Sequence, residues 1–139
     1  MRPALRSDEE GSILPLLLGY VVLAIAMTFV CVCATDLYIA QKRLDSLADA
    51  AALAGADGFT LVVEGGSVRA ELTDNGVHEQ ATAIVTALPT DATLVSASAP
   101  DDVTSRVTVA VNWYPPLFSP FVPDGVLLEA TATSRTALR

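Results

Sequence analysis

Few side chains in this chain could do chemistry, and their spacing keeps them apart. His78 is the single histidine. It stands among polar residues that open a short helical pattern, and general acid–base work needs a second group within hydrogen-bond reach. No serine elbow or cysteine–histidine arrangement accompanies it, so it reads as a surface residue. Cys31 and Cys33 lie two apart inside an apolar run. On a helix that spacing turns them away from each other, and they read as small apolar fillers. Asp101-Asp102 follows Pro100. Such a turn can hold a calcium ion, but capping of local backbone explains the two acids more simply. Asp74 and Glu79 mark a helix start, and Gly65-Gly66 marks a turn rather than a phosphate cradle. No catalytic, cofactor-binding or metal site is expected, and an enzyme is disfavoured because no nucleophile–base pair is visible.

The elements that hold these residues say more than the residues do. The chain has 139 residues, 52% of them hydrophobic and 17% charged. A mean hydropathy of +0.49 is too high for a disordered tail and unusual for a small soluble domain. The net charge of -8 disfavours nucleic acid as a partner, since phosphate neutralisation needs a basic surface.

The apolar excess is concentrated. Ile13 to Ala34 is a run of 22 residues without a charge, in which only Tyr20 and Thr28 are clearly polar. As a helix it reaches roughly 33 Å, enough to cross a hydrocarbon core of ~30 Å. Ser12 is a plausible N-cap, Pro15 falls in the first turn where a missing N–H costs little, and Asp8, Glu9 and Glu10 precede the positive end of the helix dipole. Arg2 and Arg6 on one side nearly balance Lys42 and Arg43 on the other. The remaining chain is acidic, so the simpler arrangement keeps the amino terminus inside and exports the rest. A rival reading is a signal peptide cut after Val32-Cys33-Ala34, although the run exceeds the usual ~7–15 residues of such a segment.

Beyond Ala34 the sequence turns amphipathic with no breaker before Gly55 and Gly58. Leu37, Ala40, Leu44, Leu47, Ala51 and Ala54 follow one another in steps of three and four, a heptad-like seam for helix packing. The alanine-rich stretch from Ala48 to Ala56 favours helix and lets another element approach closely. One helix is therefore expected from about Ser12 to Ala56, half in lipid and half in water. The seam either rests on the chain's own domain or packs helix to helix in an assembly, including a homo-oligomer.

Residues in this block resemble a known family. Gly11 precedes the span, Pro15 opens it, and Asp36-Leu37-Tyr38, Lys42-Arg43-Leu44 and Ala48-Asp49-Ala50-Ala51-Ala52-Leu53-Ala54-Gly55-Ala56 follow. Over residues 11–56 the chain resembles the TadE/TadG-like proteins of the Flp (tight-adherence) pilus assembly system. The resemblance implies a bitopic pilus-assembly or minor-pilin-like protein of a bacterial envelope, with other pilus-assembly or pilin-like membrane proteins as partners. It also implies a domain outside the cytoplasmic membrane. Pilin-type members carry a glutamate five residues after the processed glycine. Leu16 stands there in this chain, which favours the uncleaved, TadG-like end of the family.

The remainder, about residues 59–139, reads as a small α+β domain. Phe59–Val63 and Ser67–Leu72 predict a hairpin. Asp74 or Asn75 offers an N-cap for a helix carrying Val77, Ala81, Ile84, Val85 and Leu88 and stopped by Pro89. Three antiparallel strands follow, at Thr93–Ala99, Val103–Trp113 and Val126–Thr136, with Ser105, Val107, Val109 and Val111 on one face. The base of the long helix and the second helix are expected to cover that sheet. The connection Tyr114–Gly125 holds four prolines among Leu117, Phe118 and Phe121. With Trp113 and Tyr114 it is either a loop folded back on the sheet edge or an exposed partner-contact loop.

The expected organisation is a short cytoplasmic terminus (1–11), a transmembrane helix (12–35), a helical stalk (36–58) and an extracytoplasmic α+β domain (59–139). The expected function is that of a non-enzymatic, single-pass component of a Flp/Tad-type pilus assembly or related secretion machine in the bacterial cytoplasmic membrane. The alternative is a membrane-tethered binding or sensing module unrelated to pili.

Overall fold

A computed structural model describes residues 13–116 and 118–136. The expected N-cap at Ser12 and the acidic residues before it lie outside the described residues. The first element, α1, runs from Ile13 to Ala56, 44 residues without a break. The chain divides into two compact units, Met1–Thr35 and Asp36–Arg139.

In the first unit every described residue except Cys33 is exposed. Leu14 is 74% exposed and Met27 63%. Its most apolar stretch has a mean hydropathy of 2.6 and is 0% buried, so this is not the core helix of a globule. The hydroxyl of Thr28 donates to the carbonyl of Ala24 at 2.9 Å, which satisfies one of its two polar side chains inside the helix itself.

The second unit is α+β. After α1 come β1 (Phe59–Glu64), β2 (Ser67–Leu72), α2 (Asp74–Ala87), β3 (Thr93–Asp101), β4 (Thr104–Trp113) and β5 (Val126–Arg135). The strands form two sheets rather than one: the β1–β2 hairpin, and an antiparallel sheet in the order β3-β4-β5. Gly65 and Gly66 turn the hairpin with φ of 60° and 90°, the two positive angles of a type I′ turn. Among the described residues one backbone bond ties the hairpin to the β3–β4 turn, from the Leu72 N–H to the Asp102 carbonyl at 2.9 Å, and the Leu72 side chain enters the shared core.

The core lies on one face of the three-stranded sheet. Val107 and Val109 of β4 are 0% exposed, as are Val77 and Ala81 of α2 and Ala51 of α1. Leu44, Leu47, Ala48 and Ala52 of α1, Leu72 of β2, Val85 of α2 and Ala130 of β5 complete it. Each Leu or Val so buried is worth about 1.5–3 kcal/mol. The opposite face carries Thr and Ser, including the Thr108–Thr131 hydroxyl pair at 2.8 Å.

Two local expectations are corrected. The cap of α2 is Thr73, whose extended backbone (φ -120°, ψ 150°) places its hydroxyl to accept from the Gly76 N–H. Neither Asp74 nor Asn75 caps it, because both lie inside the helix. The strand beginning at Thr93 also runs past Ala99 to Asp101, with irregular register between Leu94 and Ser96 and between Ser98 and Asp101. Pro100 is accommodated at this edge strand, where a missing N–H breaks no ladder.

Candidate functional site

Three features distinguish the second unit. The first is the C-terminal half of α1. Leu44, Leu47 and Ala51 are buried in the core of their own unit, while Leu37, Ala40 and Ala54 are half-buried at its margins. The buried stripe also takes in Ala48, Ala52, Gly55 and Ala56. A seam with a 3.5-residue period drifts around an α-helix of 3.6 residues per turn by about 20° per heptad. Ala54 accordingly falls on the flank, and Gly55 faces the sheet. A Cβ on Gly55 would stand 2.5 Å from Ser105 Oγ and 2.9 Å from a Val77 methyl. The small residues of this stretch thus admit the chain's own β4 and α2. Ser105 is itself 0% exposed, and its hydroxyl has no hydrogen-bond partner among the described residues.

Beside this packing lies an apolar groove of about 340 Å³. Ala40, Leu47 and Ala50 of α1 form one wall, and Leu88, Ala92 and Val111 face them. Leu88 is 44% exposed, so the last apolar residue of the expected second-helix face opens onto this groove instead of entering the core. On the flank of α1 that meets β5, Gln41 Nε2 donates to Asp45 at 3.0 Å and to the Glu129 carbonyl at 3.2 Å, and Asp45 pairs with Lys42 at 3.1 Å. The Gln41 bond first, then Lys42, holds the Asp45 carboxyl below its ordinary range.

The second feature is the proline-rich connection. Trp113 is half-buried, and its indole Nε1 donates to Asp36 Oδ2 at 2.8 Å. Tyr114 is 50% exposed, Phe118 47% and Phe121 82%. Leu117 lies outside the described residues. The connection holds its shape by its own turns. The Phe118 N–H donates to the Pro115 carbonyl, a 3-10 turn spans Ser119–Phe121, and the Gly125 N–H donates to the Val122 carbonyl. Gly125 has φ 68°, and any Cβ there would press on the Trp113 carbonyl and the Tyr114 ring.

The third feature is the outer half of the hairpin, where Leu61, Val63 and Val68 share one face and are 61–69% exposed. Its base is fixed by a close backbone approach, since a Cβ on Gly58 would lie 2.6 Å from the Gly76 carbonyl oxygen.

The residues first considered for chemistry are not brought together. His78 and Glu79 are exposed on α2. Asp74 accepts from the Ala99 N–H at 2.7 Å and ties α2 to β3. Asp101 accepts from the Val103 N–H and the Thr104 hydroxyl, both at 3.0 Å. Those bonds hold its carboxyl below the ordinary value. Among the described residues no three His, Cys, Asp or Glu side chains come close enough to hold a metal ion. Sequence reasoning missed the Asp36–Trp113 bond. The partners are 77 residues apart, and no local pattern links them.

Residues 11–58 match the Tad family model, Flp pilus-assembly TadE/G-like. The N-terminal third of the chain is thus similar to that family over α1 and the glycine turn that ends it, while the sheets and α2 lie beyond the match. No curated protein and no solved structure matches the chain.

Proposed function

We propose that the chain is a single-pass membrane component of a Flp/Tad-type pilus assembly or related secretion machine, acting by contact rather than catalysis. The carrying observation is the coincidence of the TadE/G-like match over residues 11–58 with one helix, α1. The first half of that helix exposes apolar side chains, and its second half closes the core of a folded unit. In this reading residues 1–11 stay in the cytoplasm, 12–35 cross the membrane, and the stalk (36–58) and the domain (59–139) stand outside. Lipid and other pilus-assembly or pilin-like membrane proteins are the partners. Leu44, Leu47 and Ala51 are already used by their own unit. A homo-oligomer through the stalk would therefore use its outer side, where Leu53 is 61% exposed.

The apolar groove favours a second reading, a tethered module that binds an apolar ligand. Spheroplasts of a pilus-bearing host, expressing the chain with a C-terminal tag, separate the two. External protease should remove the tag from full-length protein, and cross-linking should recover pilus-assembly membrane proteins with it. A soluble product beginning near Thr35 would mean signal-peptide removal and end the anchor reading. Recovery without pilus proteins, but with an apolar molecule in the groove, would establish the second.

A further inference from the structure

We propose that the proline–aromatic connection rests on the bilayer surface and steadies the folded unit where the chain leaves the lipid. This rests on the reading of residues 12–35 as a membrane span. Asp36 is the first charged residue after the apolar run and follows Thr35 directly. The Trp113 indole is 2.8 Å from its carboxylate, so this ring stands at headgroup level. From Trp113 the chain passes straight into exposed Tyr114, Phe118 and Phe121, and the returning strand begins with Val126 and Leu127, 43% and 61% exposed.

Lipid is favoured over a protein partner by position and by charge. Tryptophan and tyrosine concentrate at membrane interfaces, because each joins an apolar body to a polar tip. No charged residue occurs between Tyr114 and Pro123 in a chain of net charge -8. This uncharged surface can meet a layer of phosphates without the repulsion that the acidic remainder would meet. The prolines restrict the connection in advance, so little further ordering is needed on contact.

Trp113 is the only tryptophan, so its fluorescence reports on this spot alone. The full chain is reconstituted in phosphatidylethanolamine–phosphatidylglycerol vesicles that carry a nitroxide quencher either near the headgroup or near the end of the acyl chain. Flotation of the same sample reports membrane integration. The shallow label should quench Trp113 about twofold more than the deep one, as expected of an interfacial indole. The double variant Phe118→Ser/Phe121→Ser should lose about half of that quenching while still floating. As a control, Asp57→Trp in a Trp113→Phe background places the reporter about 30 Å further along α1 and should escape both labels. Floating protein whose Trp113 is quenched by neither label would overturn the inference and leave the anchor reading intact. Stronger quenching by the deep label would also overturn it. Protein that fails to float would end the anchor reading and this inference with it.

Discussion

The two halves of α1 have the same backbone and opposite solutions to burial. From Ile13 to Thr35 large side chains such as Leu14, Leu18 and Met27 are exposed. From Leu44 to Ala56 two leucines (Leu44, Leu47) and the small Ala48, Ala51, Ala52 and Ala56 are at most 6% exposed. The second half meets a folded sheet, which admits only what fits, and at Gly55 it admits no side chain. In the proposed anchor reading the first half meets lipid instead, a fluid that takes any shape. Leucines are exposed in the first half (Leu14, Leu18) and buried in the second (Leu44, Leu47), so contact with the sheet separates the halves.

The largest effect should come from charging the first half. Leu23→Asp/Ile25→Asp should cost roughly 5–7 kcal/mol of membrane insertion, about 2.5–3.5 per acid near the centre of a span. Alkaline extraction should then release the protein, while protease resistance of the second unit stays unchanged. A smaller but opposite-sided effect is expected from Gly55→Ala. Overpacking against Ser105 and Val77 should cost about 1–3 kcal/mol in urea unfolding of the second unit and leave membrane integration untouched. Adding Ser105→Ala should recover part of the loss, because it removes both the clash and an unpartnered hydroxyl. Unfolding data in which the double variant is no better than Gly55→Ala would show that β4 does not set the space. Thr73→Ala, which removes the α2 cap, should cost about 1 kcal/mol in the same assay.

These tests also mark how far the sequence could be read. The helix was legible from Ile13 onward because charge is absent to Ala34 and no breaker follows before Gly55. Alternation made β4 legible, and Gly65-Gly66 made the hairpin so. The cap was misplaced by one residue because Thr73, Asp74 and Asn75 are all competent caps, and only the chain's entry angle chooses among them. The split into two sheets follows from where strand edges meet, which no periodicity encodes. The aromatics of the proline connection are plain in the sequence, but their exposure and the bond from Trp113 to Asp36 are not, since that bond joins residues on distant parts of the chain.

The smallest effect concerns pH. Chiefly the Val103 N–H, with the Thr104 hydroxyl, lowers the folded pKa of Asp101 below its ordinary value of 3.8. A lowered pKa means that its support of the β3–β4 turn is complete above that value. The support is lost as pH falls through the folded pKa. The Val103 amide resonance should therefore titrate below 3.8, and Asp101→Asn should abolish that step.

Residue-resolved hydrogen exchange of the full chain in vesicles, with and without urea, tests the division of α1 most directly. Urea that unfolds the second unit should release the amides of Leu44 to Ala56 together with those of β4 and α2. The amides of Leu17 to Ala34 should stay protected, because hydrocarbon offers their hydrogen bonds no alternative partner. Loss of protection in both stretches at the same urea concentration would mean that one folded interior shelters the whole helix, and would contradict the account.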